Sequence, residues 1–285
     1  MSLAQKNLNY STRVVNTVIF VFLVIVSLLF LAPILLVLLN SFKSKLYVVN
    51  TPFAFPNAES AAGFTNYTKG IIATEFFSAF KYSLLITVFS VAIIVLFSSM
   101  TAWYITRSSM KFCKGLYYAF VFAMIVPFQM VMFPLTKVSN MLHLDNPIGI
   151  LFVYLGYGAG LSVFLFSGFV KSIPIAVEEA ATIDGCTPLS LFFIVVLPML
   201  APIAITVAIL NAMWIWNDYL LPNLLIGSEY RTIPIAVQYL RGGYGSIDMG
   251  YMMAMIIMAV IPIVIFYFTC QKYIINGITA GSVKG

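Results

Sequence analysis

The feature that most constrains this chain is a series of long stretches without a single Asp, Glu, Lys, Arg or His. A helix needs about 20 apolar residues to cross the hydrocarbon core of a bilayer, and each stretch is long enough to do so. The six stretches are Val14–Phe42, Tyr82–Thr106, Gly115–Thr136, Gly149–Val170, Cys186–Asn217 and Met249–Gln271. They predict an all-α polytopic membrane protein with six transmembrane helices.

Composition supports lipid as the main solvent of the chain. Only 8% of the residues are charged and 62% are hydrophobic, whereas soluble domains average about 25% charged residues. The first stretch is too long for a signal peptide and lacks a small-residue cleavage site, so we expect a retained helix. The net charge of +6 comes from basic residues scattered at the ends of the stretches. That pattern favours anchoring at lipid headgroups and excludes a nucleic-acid partner.

The residue types that bind metals or act as nucleophiles are sparse and dispersed. The three cysteines, Cys113, Cys186 and Cys270, form no C-x-x-C pair and are expected to be free thiols. His143 is the single histidine, which leaves it without histidine partners for a metal ion. The sequence therefore predicts no metal site and no catalytic residues in this chain.

The short link after the second stretch sets the expected orientation. It carries Arg107, Lys111 and Lys114 and no acid, so the positive-inside rule places it in the cytoplasm. Both termini then lie inside the cell. Residues 43–79 lie outside as a loop with room for one short helix, and residues 172–198, the acidic loop, lie inside.

The acidic loop concentrates a scarce residue type. Three of the nine acids of the chain fall within it, at Glu178, Glu179 and Asp184. At helical spacing Ala176, Ala180 and Ile183 share one face, and such small side chains permit close approach of another protein. The residues alone leave two interpretations open, a docking helix with charged contacts or an ordinary connecting loop with a solvated face.

Local signals predict the structure of the acidic loop. A helix should begin near Pro174 and stop at Gly185, which we expect with a positive φ. Thr187 and Pro188 are typical of an N-cap and first helical position. Because the stretch that follows is longer than one span requires, we expect a short amphipathic piece over 188–197 and a true span from about Ala201.

The end of the fifth stretch and the two residues that follow it are rich in aromatic and polar side chains. Aromatic rings stack on sugars and polar groups hydrogen-bond sugar hydroxyls, so these residues are candidates for a substrate path. The alternative is an aromatic belt at the outer membrane interface. The residues are Asn211, Trp214, Trp216, Asn217, Asp218 and Tyr219.

Two further patterns concern helix shape. Pro127, Gln129 and Pro134 predict a kinked third span, either for packing or for flexing during gating. Gly156 and Gly160 form a G-x-x-x-G in the fourth stretch, which fits either a close helix crossing or a softened helix end.

A longer motif resembles a known family. Glu179-Ala180-Ala181-x-x-Asp184-Gly185, followed by Val195-x-Leu197-Pro198, is similar to the EAA loop of ABC importer permease subunits. In that family the loop is a coupling helix that docks into a cleft of the ATP-binding subunit. The resemblance therefore implies an ATPase-coupling role for the acidic loop. The residues concerned are Glu178, Glu179, Ala180, Ala181, Asp184 and Gly185.

The resemblance extends to the MalG-type permeases of carbohydrate importers. It includes Trp216–Leu220, Arg231–Pro234 and Gln271–Gly285. It implies the type I ABC importer permease fold, with an N-terminal segment 1–13, a first helix 14–42, an external loop 43–79, a transport core 80–272 and a tail 273–285. Gly277, Gly281 and Lys284 of the tail are implied to contact the ATPase.

The implied function is uptake of a sugar or oligosaccharide across the membrane of a bacterial cell. The implied partners are a second, MalF-like permease, two ATPase subunits and an extracytoplasmic solute-binding protein. ATP and Mg would belong to the ATPase subunits, because this chain has no Gly-Lys dipeptide and hence no phosphate loop; we expect no cofactor here.

Three alternatives remain open at this point. The first is an ABC permease for another solute, such as glycerol phosphate or a peptide. The second is a self-sufficient secondary transporter, for which Asp218 is the single candidate ion-coupling residue. The third, a membrane enzyme, is disfavoured because no cluster of His, Cys or carboxylate residues falls at one membrane depth.

Overall fold

The protein is all-α in a computed structural model that describes residues 3–227, 229–240 and 248–282, with side chains from residue 15 to residue 271 of those ranges. Within them the only β-type pairing is an isolated bridge between Lys43 and Ala61. The described residues form two compact units. One comprises residues 3–73, 240 and 248–258, and the other comprises 74–227, 229–239 and 259–282.

Fourteen α-helices lie within the described residues. In chain order they are α1 (Leu3–Ser41), α2 (Lys45–Asn50), α3 (Thr65–Ala73), α4 (Phe76–Arg107), α5 (Lys111–Ile125), α6 (Phe128–Met141), α7 (Gly149–Val170), α8 (Ile175–Ile183), α9 (Pro188–Ser190), α10 (Leu197–Met199), α11 (Ala201–Asn217), α12 (Leu220–Leu225), α13 (Ile233–Tyr239) and α14 (Met249–Ser282). A π-helical segment, Leu191–Val196, joins α9 to α10.

Four of these helices are long and apolar enough to cross a membrane, and two bent helix pairs raise the number to six if each pair is one span. The six spans expected from the uncharged stretches are confirmed in this sense. The third span departs from the expected kink. Val126 and Pro127 are both extended and separate α5 from α6 at an angle of 109°, because the residue before a proline is driven out of the helical region. The result is a broken helix.

In the first unit, hydrogen bonds from α3 fix the segment that follows α1. Asn66 on α3 donates its side-chain amide to the carbonyls of Ser41 (2.8 Å) and Lys43 (2.7 Å). A Cβ on Gly250 would lie 2.7 Å from the same amide nitrogen, so glycine is needed there. Residues 43–79, expected to contain one short helix, contain α2, α3 and the first turn of α4.

The Lys43 side chain is fully buried within this unit. Its Nζ donates to the carbonyl of Thr51 at 2.7 Å. Burial lowers the pKa of the ammonium group below its usual value, and the hydrogen bonds offset part of the cost of removing the charge from water.

The second unit is built around the pair α4 and α7. The two helices approach closely at Gly158, where an added Cβ would lie 2.6 Å from Ile94 and 2.8 Å from the side-chain oxygen of Asn211. Gly160 lies against α5, with its Cβ position 3.0 Å from the carbonyl oxygen of Phe120, whereas Gly156 has nothing within 4 Å. Of the two readings of the G-x-x-x-G, close packing is present at Gly160, against α5, and not at Gly156, while the crossing with α4 is made by Gly158 between them.

The core of the second unit has one apolar cluster directly beneath the acidic loop. Ten buried residues from α4, α7, the loop and α11 form it. They are Ala102, Val163, Phe166, Val170, Ile173, Leu191, Phe192, Val196, Leu200 and Val207. The loop is consequently seated on packed core and does not project from the bundle as a free connection.

Candidate functional site

The acidic loop begins with the short helix that the sequence predicts. Pro174 is extended and leads into α8. Gly185 follows the helix with a φ of +88°, which confirms the expected left-handed conformation. Glycine adopts this conformation without the steric cost that a side chain brings.

A Schellman arrangement closes α8. The N–H of Gly185 donates to the carbonyl of Thr182 at 3.1 Å, and the N–H of Cys186 donates to that of Ala181 at 3.0 Å. These two bonds use carbonyls that the helix end would otherwise leave unpaired. The stop is therefore tight, and it reverses the chain toward the second half of the loop.

The second half of the loop also begins as predicted. The Thr187 hydroxyl accepts a hydrogen bond from the N–H of Ser190 (3.3 Å), and Pro188 occupies the first helical position. After one turn the backbone becomes π-helical over Leu191–Val196. A separate helical piece and a span that begins at Ala201 are confirmed, with a bend of 78° between them, whereas the expected amphipathic character of the piece stays a prediction, since Leu189 and Ile194 are exposed. The π-helical turns were not expected, and such turns are frequent at functional sites.

One face of α8 is exposed and largely apolar. Ala176, Ala180 and Ile183 are all on the surface, and Ile183 is 86% exposed. Leu189, beyond the turn, is also exposed. An exposed apolar patch next to acidic side chains is typical of a protein-interaction surface. We call these four residues, with Glu179 and Asp184, the docking face.

Glu178 and Glu179 are neighbours in sequence but lie in opposite environments. Glu179 is exposed, and among the described residues its carboxylate has no hydrogen bond or ion pair. Glu178 is 7% exposed and its carboxylate is bound inside the chain. The charge of Glu178 is therefore used within the chain, because a buried charged group has to be paired, and its predicted coupling role stays a prediction.

The partners of Glu178 lie at the end of α4. Arg107 donates from Nε (2.9 Å) and Nη2 (2.6 Å) to Oε1, and Trp103 Nε1 donates to Oε2 at 2.9 Å. Arg107 Nη2 also donates to the carbonyl of Ile173 at 2.9 Å. Both carboxylate oxygens are thus occupied. We call Trp103, Arg107 and Glu178 the anchor.

The remaining predicted coupling residues divide in the same way. Asp184 is exposed at the end of α8. Ala181 is half-buried and packs on the apolar cluster beneath the loop, as does Cys186. The docking face and the anchored face are accordingly opposite sides of one short helix.

The polar residues at the end of the fifth span do not converge on one site. Asn211 is buried and donates its amide to Ser162 Oγ at 3.1 Å and to the carbonyl of Val207 at 2.8 Å. Asn217 is exposed and donates to the carbonyl of Met213 at 2.7 Å. Tyr219 lies at the surface. Asn211 therefore stabilises the packing of α7 on α11, and Asn217 and Tyr219 face outward.

Asp218 has a structural role in this chain. Its Oδ1 accepts from the N–H groups of Leu220 (3.0 Å) and Leu221 (3.4 Å) at the start of α12, and its Oδ2 accepts from the hydroxyl of Tyr154 at 3.1 Å. The Tyr154 ring is fully buried and meets Trp214 edge to face at 5.5 Å. This network ties the end of α11 to α7.

Trp216 lines a cavity in the second unit. It is mostly buried, donates its indole N–H to the carbonyl of Ala259 at 3.4 Å and meets Phe80 edge to face at 5.8 Å. The cavity measures about 550 Å³ and lies between α4, α11 and α14. Its lining is apolar apart from Thr87 and the Trp216 indole, so on its own it does not present the polar groups that bind sugar hydroxyls.

Two of the three predicted tail residues lie within the last helix of the described residues. Gly277 and Gly281 lie within α14, which continues to Ser282 where a polar tail was expected. Lys284 lies outside the described residues.

The expected thiol state is confirmed, since Cys113, Cys186 and Cys270 are all free. His143 occupies a turn after α6 with a φ of +54°. Among the described residues no group of three or more His, Cys, Asp or Glu side chains is placed to hold a metal ion.

Trp103, Arg107, Ser83 and Tyr154 have roles that sequence reasoning did not find. Ser83 Oγ accepts from the N–H of Ile233 at 2.8 Å, joining α4 to α13. The one available signal concerned Arg107, a basic residue at the end of a span on the same predicted side as the acidic loop.

Comparison with known proteins identifies the family. Residues 94–279 match the family described as binding-protein-dependent transport system inner membrane component. The chain is 40% identical to the probable starch degradation products transport system permease protein AmyC of Thermoanaerobacterium thermosulfurigenes, over 92% of this chain and 94% of the relative. It is 36% identical to the multiple sugar-binding transport system permease protein MsmG of Streptococcus mutans, over 98% of this chain and 99% of the relative.

Solved structures agree with the sequence matches. A chain from the crystal structure of a bacterial ABC transporter involved in the import of the acidic polysaccharide alginate superposes with a TM-score of 0.77 and 26% identity, covering 92% of this chain and 97% of that one. The matches extend over most of the chain. This chain belongs to the family of binding-protein-dependent transport system inner membrane components, as a multi-pass membrane permease subunit of an ABC importer and a transport component rather than an enzyme.

Proposed function

We propose that this permease subunit carries a sugar or oligosaccharide into a bacterial cell. Two relatives that match nearly the whole chain support the substrate class, since one is named for starch degradation products and the other for multiple sugars. The size of the sugar and its identity are set jointly with the partner subunits, because the cavity within this chain is apolar.

The importer assembles from several subunits in this proposal. A second, MalF-like permease pairs with this chain, two ATPase subunits bind ATP and Mg, and an extracytoplasmic binding protein delivers the substrate. Closure of the ATPase dimer on ATP displaces the acidic loop and switches the pore from inward-facing to outward-facing. Hydrolysis resets it.

The observation that carries the proposal is the docking face on α8. Its apolar residues are exposed, and its acids Glu179 and Asp184 point away from the core. The opposite side of the same helix is fixed to packed core by Glu178 and Ala181. A helix with one side exposed and the other side fixed to the core can transmit a displacement that a separate subunit imposes on it.

A contact between two segments supports the proposed orientation. The link with Arg107, Lys111 and Lys114 is cytoplasmic by the positive-inside rule. Because Arg107 binds Glu178, the acidic loop lies on the same side of the membrane. Both termini are then cytoplasmic, and Gly277, Gly281 and Lys284 of the tail reach the ATPase.

The proposed substrate path uses the outward-facing part of the fifth-span end. Trp214, Asn217 and Tyr219 retain exposed surface for stacking on a sugar ring and hydrogen bonding to its hydroxyls. Asn211, Trp216 and Asp218 support them from within. The facing permease supplies the remaining contacts.

The proposed function is tested by uptake into proteoliposomes that contain the assembled importer with ATP enclosed. Labelled maltooligosaccharides and raffinose are offered with the binding protein encoded beside this chain. The proposal predicts uptake that requires both ATP and the binding protein. Uptake of neither sugar, with uptake of glycerol phosphate or a peptide instead, would overturn the substrate class.

A further inference from the structure

We propose that the anchor links the coupling helix α8 rigidly to the end of α4, so that the two move as one body. Glu178 is a positioning residue in this link. This inference rests on the proposed ATP-driven function and deepens it. It assigns to Glu178 a role distinct from that of Glu179, which belongs to the docking face.

The contacts of the anchor are short and connect segments distant in the chain. Glu178 lies 71 residues beyond Arg107 and 75 beyond Trp103. Its two carboxylate oxygens accept three hydrogen bonds, of which the shortest is 2.6 Å, from Arg107 Nη2. Charge-assisted bonds of this kind are stronger and more directional than neutral ones. They fix the orientation of α8 as well as its distance from α4.

Arg107 holds the start of the loop in addition to the helix. Its Nη2 donates both to Glu178 and to the carbonyl of Ile173, which lies just before α8. Within α8 the Thr182 hydroxyl donates to the carbonyl of Glu178 at 2.8 Å. The guanidinium thus clamps the turn that enters α8 and its first turn together, so the helix cannot pivot about Pro174 without breaking the clamp.

Trp103 connects α4 to both halves of the acidic loop. Its indole N–H binds Glu178 in the first half, and its ring packs on Phe192 in the second half at 5.6 Å. Phe192 belongs to the π-helical segment and is buried in the apolar cluster. A displacement of the docking face is consequently transmitted to Trp103 on α4 by both halves of the loop, through Glu178 and through Phe192.

The helix that receives this displacement extends far from the loop. α4 has 32 residues and is roughly 48 Å long at 1.5 Å per residue. It packs on α7 at Gly158 and lines the cavity beside Trp216 through residues such as Val91 and Thr87. A displacement applied at Arg107 is therefore delivered along a rigid element to the cavity and to the opposite side of the membrane.

The experiment compares the assembled importer carrying Glu178→Gln with wild type and with two further variants, Trp103→Phe and Arg107→Lys. Each complex is placed in proteoliposomes, and the sugar taken up per ATP hydrolysed is measured with the loaded binding protein present. Glu178→Gln keeps the shape of the side chain but removes its charge. We expect this variant to retain its ATPase subunits on purification and to lose at least threefold in uptake per ATP.

The other variants keep the test decisive. Trp103→Phe removes one hydrogen bond and retains the ring, so we expect a smaller fall in the same ratio. Arg107→Lys keeps the charge but loses the paired donors. We therefore expect its fall in uptake per ATP to lie between those of Trp103→Phe and Glu178→Gln. If Glu178→Gln does not reach the membrane, these variants decide by the same measurement. A purely structural role would lower the amount of complex and leave uptake per ATP unchanged.

Two failures are distinguishable. Absence of ATP-dependent and binding-protein-dependent uptake by the wild-type complex contradicts the proposed function itself. Normal wild-type uptake, together with unchanged uptake per ATP hydrolysed in all assembled anchor variants, contradicts only the rigid link between α8 and α4.

Discussion

The acidic loop and the end of the fifth span were both singled out because polar residues are scarce in this chain, yet the structure uses them in opposite ways. In the loop, Glu179 and Asp184 are exposed next to an apolar face. At the fifth-span end, Asn211 and Asp218 have their hydrogen-bonding groups engaged inside the chain. Polar residues in apolar sequence are thus of two kinds, and internal hydrogen bonding separates them.

The same criterion divides neighbouring residues within the loop. Glu178 is engaged with Arg107 and Trp103, whereas Glu179 is free to meet a partner subunit. The difference follows from helix geometry, since adjacent residues are about 100° apart around a helix with 3.6 residues per turn. One helix can consequently be anchored on one side and docked on the other.

The largest effect on stability is expected from a substitution that breaks the anchor. Glu178→Ala leaves the Arg107 guanidinium partly buried without its carboxylate, which should cost on the order of 3 kcal/mol in free energy of unfolding. Glu179→Ala is the matched control, and as an exposed residue it should change stability by less than about 0.5 kcal/mol. Thermal unfolding of the purified protein in detergent checks both. Equal melting temperatures for the two variants would contradict the division.

A second prediction concerns the packing around Asn211. Gly158→Ala would place a methyl group 2.6 Å from Ile94 and 2.8 Å from the Asn211 oxygen, and such overpacking should cost about 1–3 kcal/mol. Gly156→Ala is the control in the same helix, because nothing lies within 4 Å of its Cβ position. In thermal unfolding, the melting temperature of Gly158→Ala should be lower than that of wild type, and the melting temperature of Gly156→Ala should be equal to or higher than that of wild type. The reverse order would refute the close crossing.

A third prediction concerns the turn that ends α8. Gly185 has a φ of +88° and open space around it, so substitution there acts through the backbone alone. Gly185→Val should cost about 1 kcal/mol or more, while Gly185→Asn should be better tolerated because asparagine enters the left-handed region more readily. Co-purification of the ATPase measures the displacement of the docking face. Equal ATPase recovery from both variants would show that the turn does not position that face.

The smallest expected effect on stability lies at the exposed side of the fifth-span end. Asn217→Ala removes one surface hydrogen bond, to the carbonyl of Met213, and should leave the melting temperature within the range of ordinary surface changes, about 0.5 kcal/mol. If Asn217 lines the substrate path, uptake should nevertheless fall. Unchanged uptake rate and sugar preference would leave this end as an aromatic interface belt.

Local parts of the fold were predictable because the sequence signals act over a few residues. Gly185, Thr187 and Pro188 determine the helix stop and the next start through backbone conformation and a single cap. The uncharged stretches likewise predict the spans, since lipid excludes charge over a fixed length.

The remaining features depend on residues that meet only in the folded chain. The pairing of Arg107 with Glu178 joins positions 71 residues apart, and no short pattern reveals it. The close crossing uses Gly158 because Ile94 and Asn211 face it, although Gly156 and Gly160 carry the recognisable spacing. The coupling and substrate-path roles stay predictions, since they concern contacts with other subunits.

The most direct test of the account is the charge reversal Glu179→Lys. The docking face should lose its attraction for the ATPase while the anchor on the other side of α8 is untouched. The measurement is recovery of the ATPase with this subunit and its permease partner, together with ATP hydrolysis with and without the loaded binding protein. We predict normal membrane insertion and permease pairing with loss of ATPase recovery or of stimulated hydrolysis. Normal recovery and normal stimulation would contradict the assignment of α8 as the coupling helix.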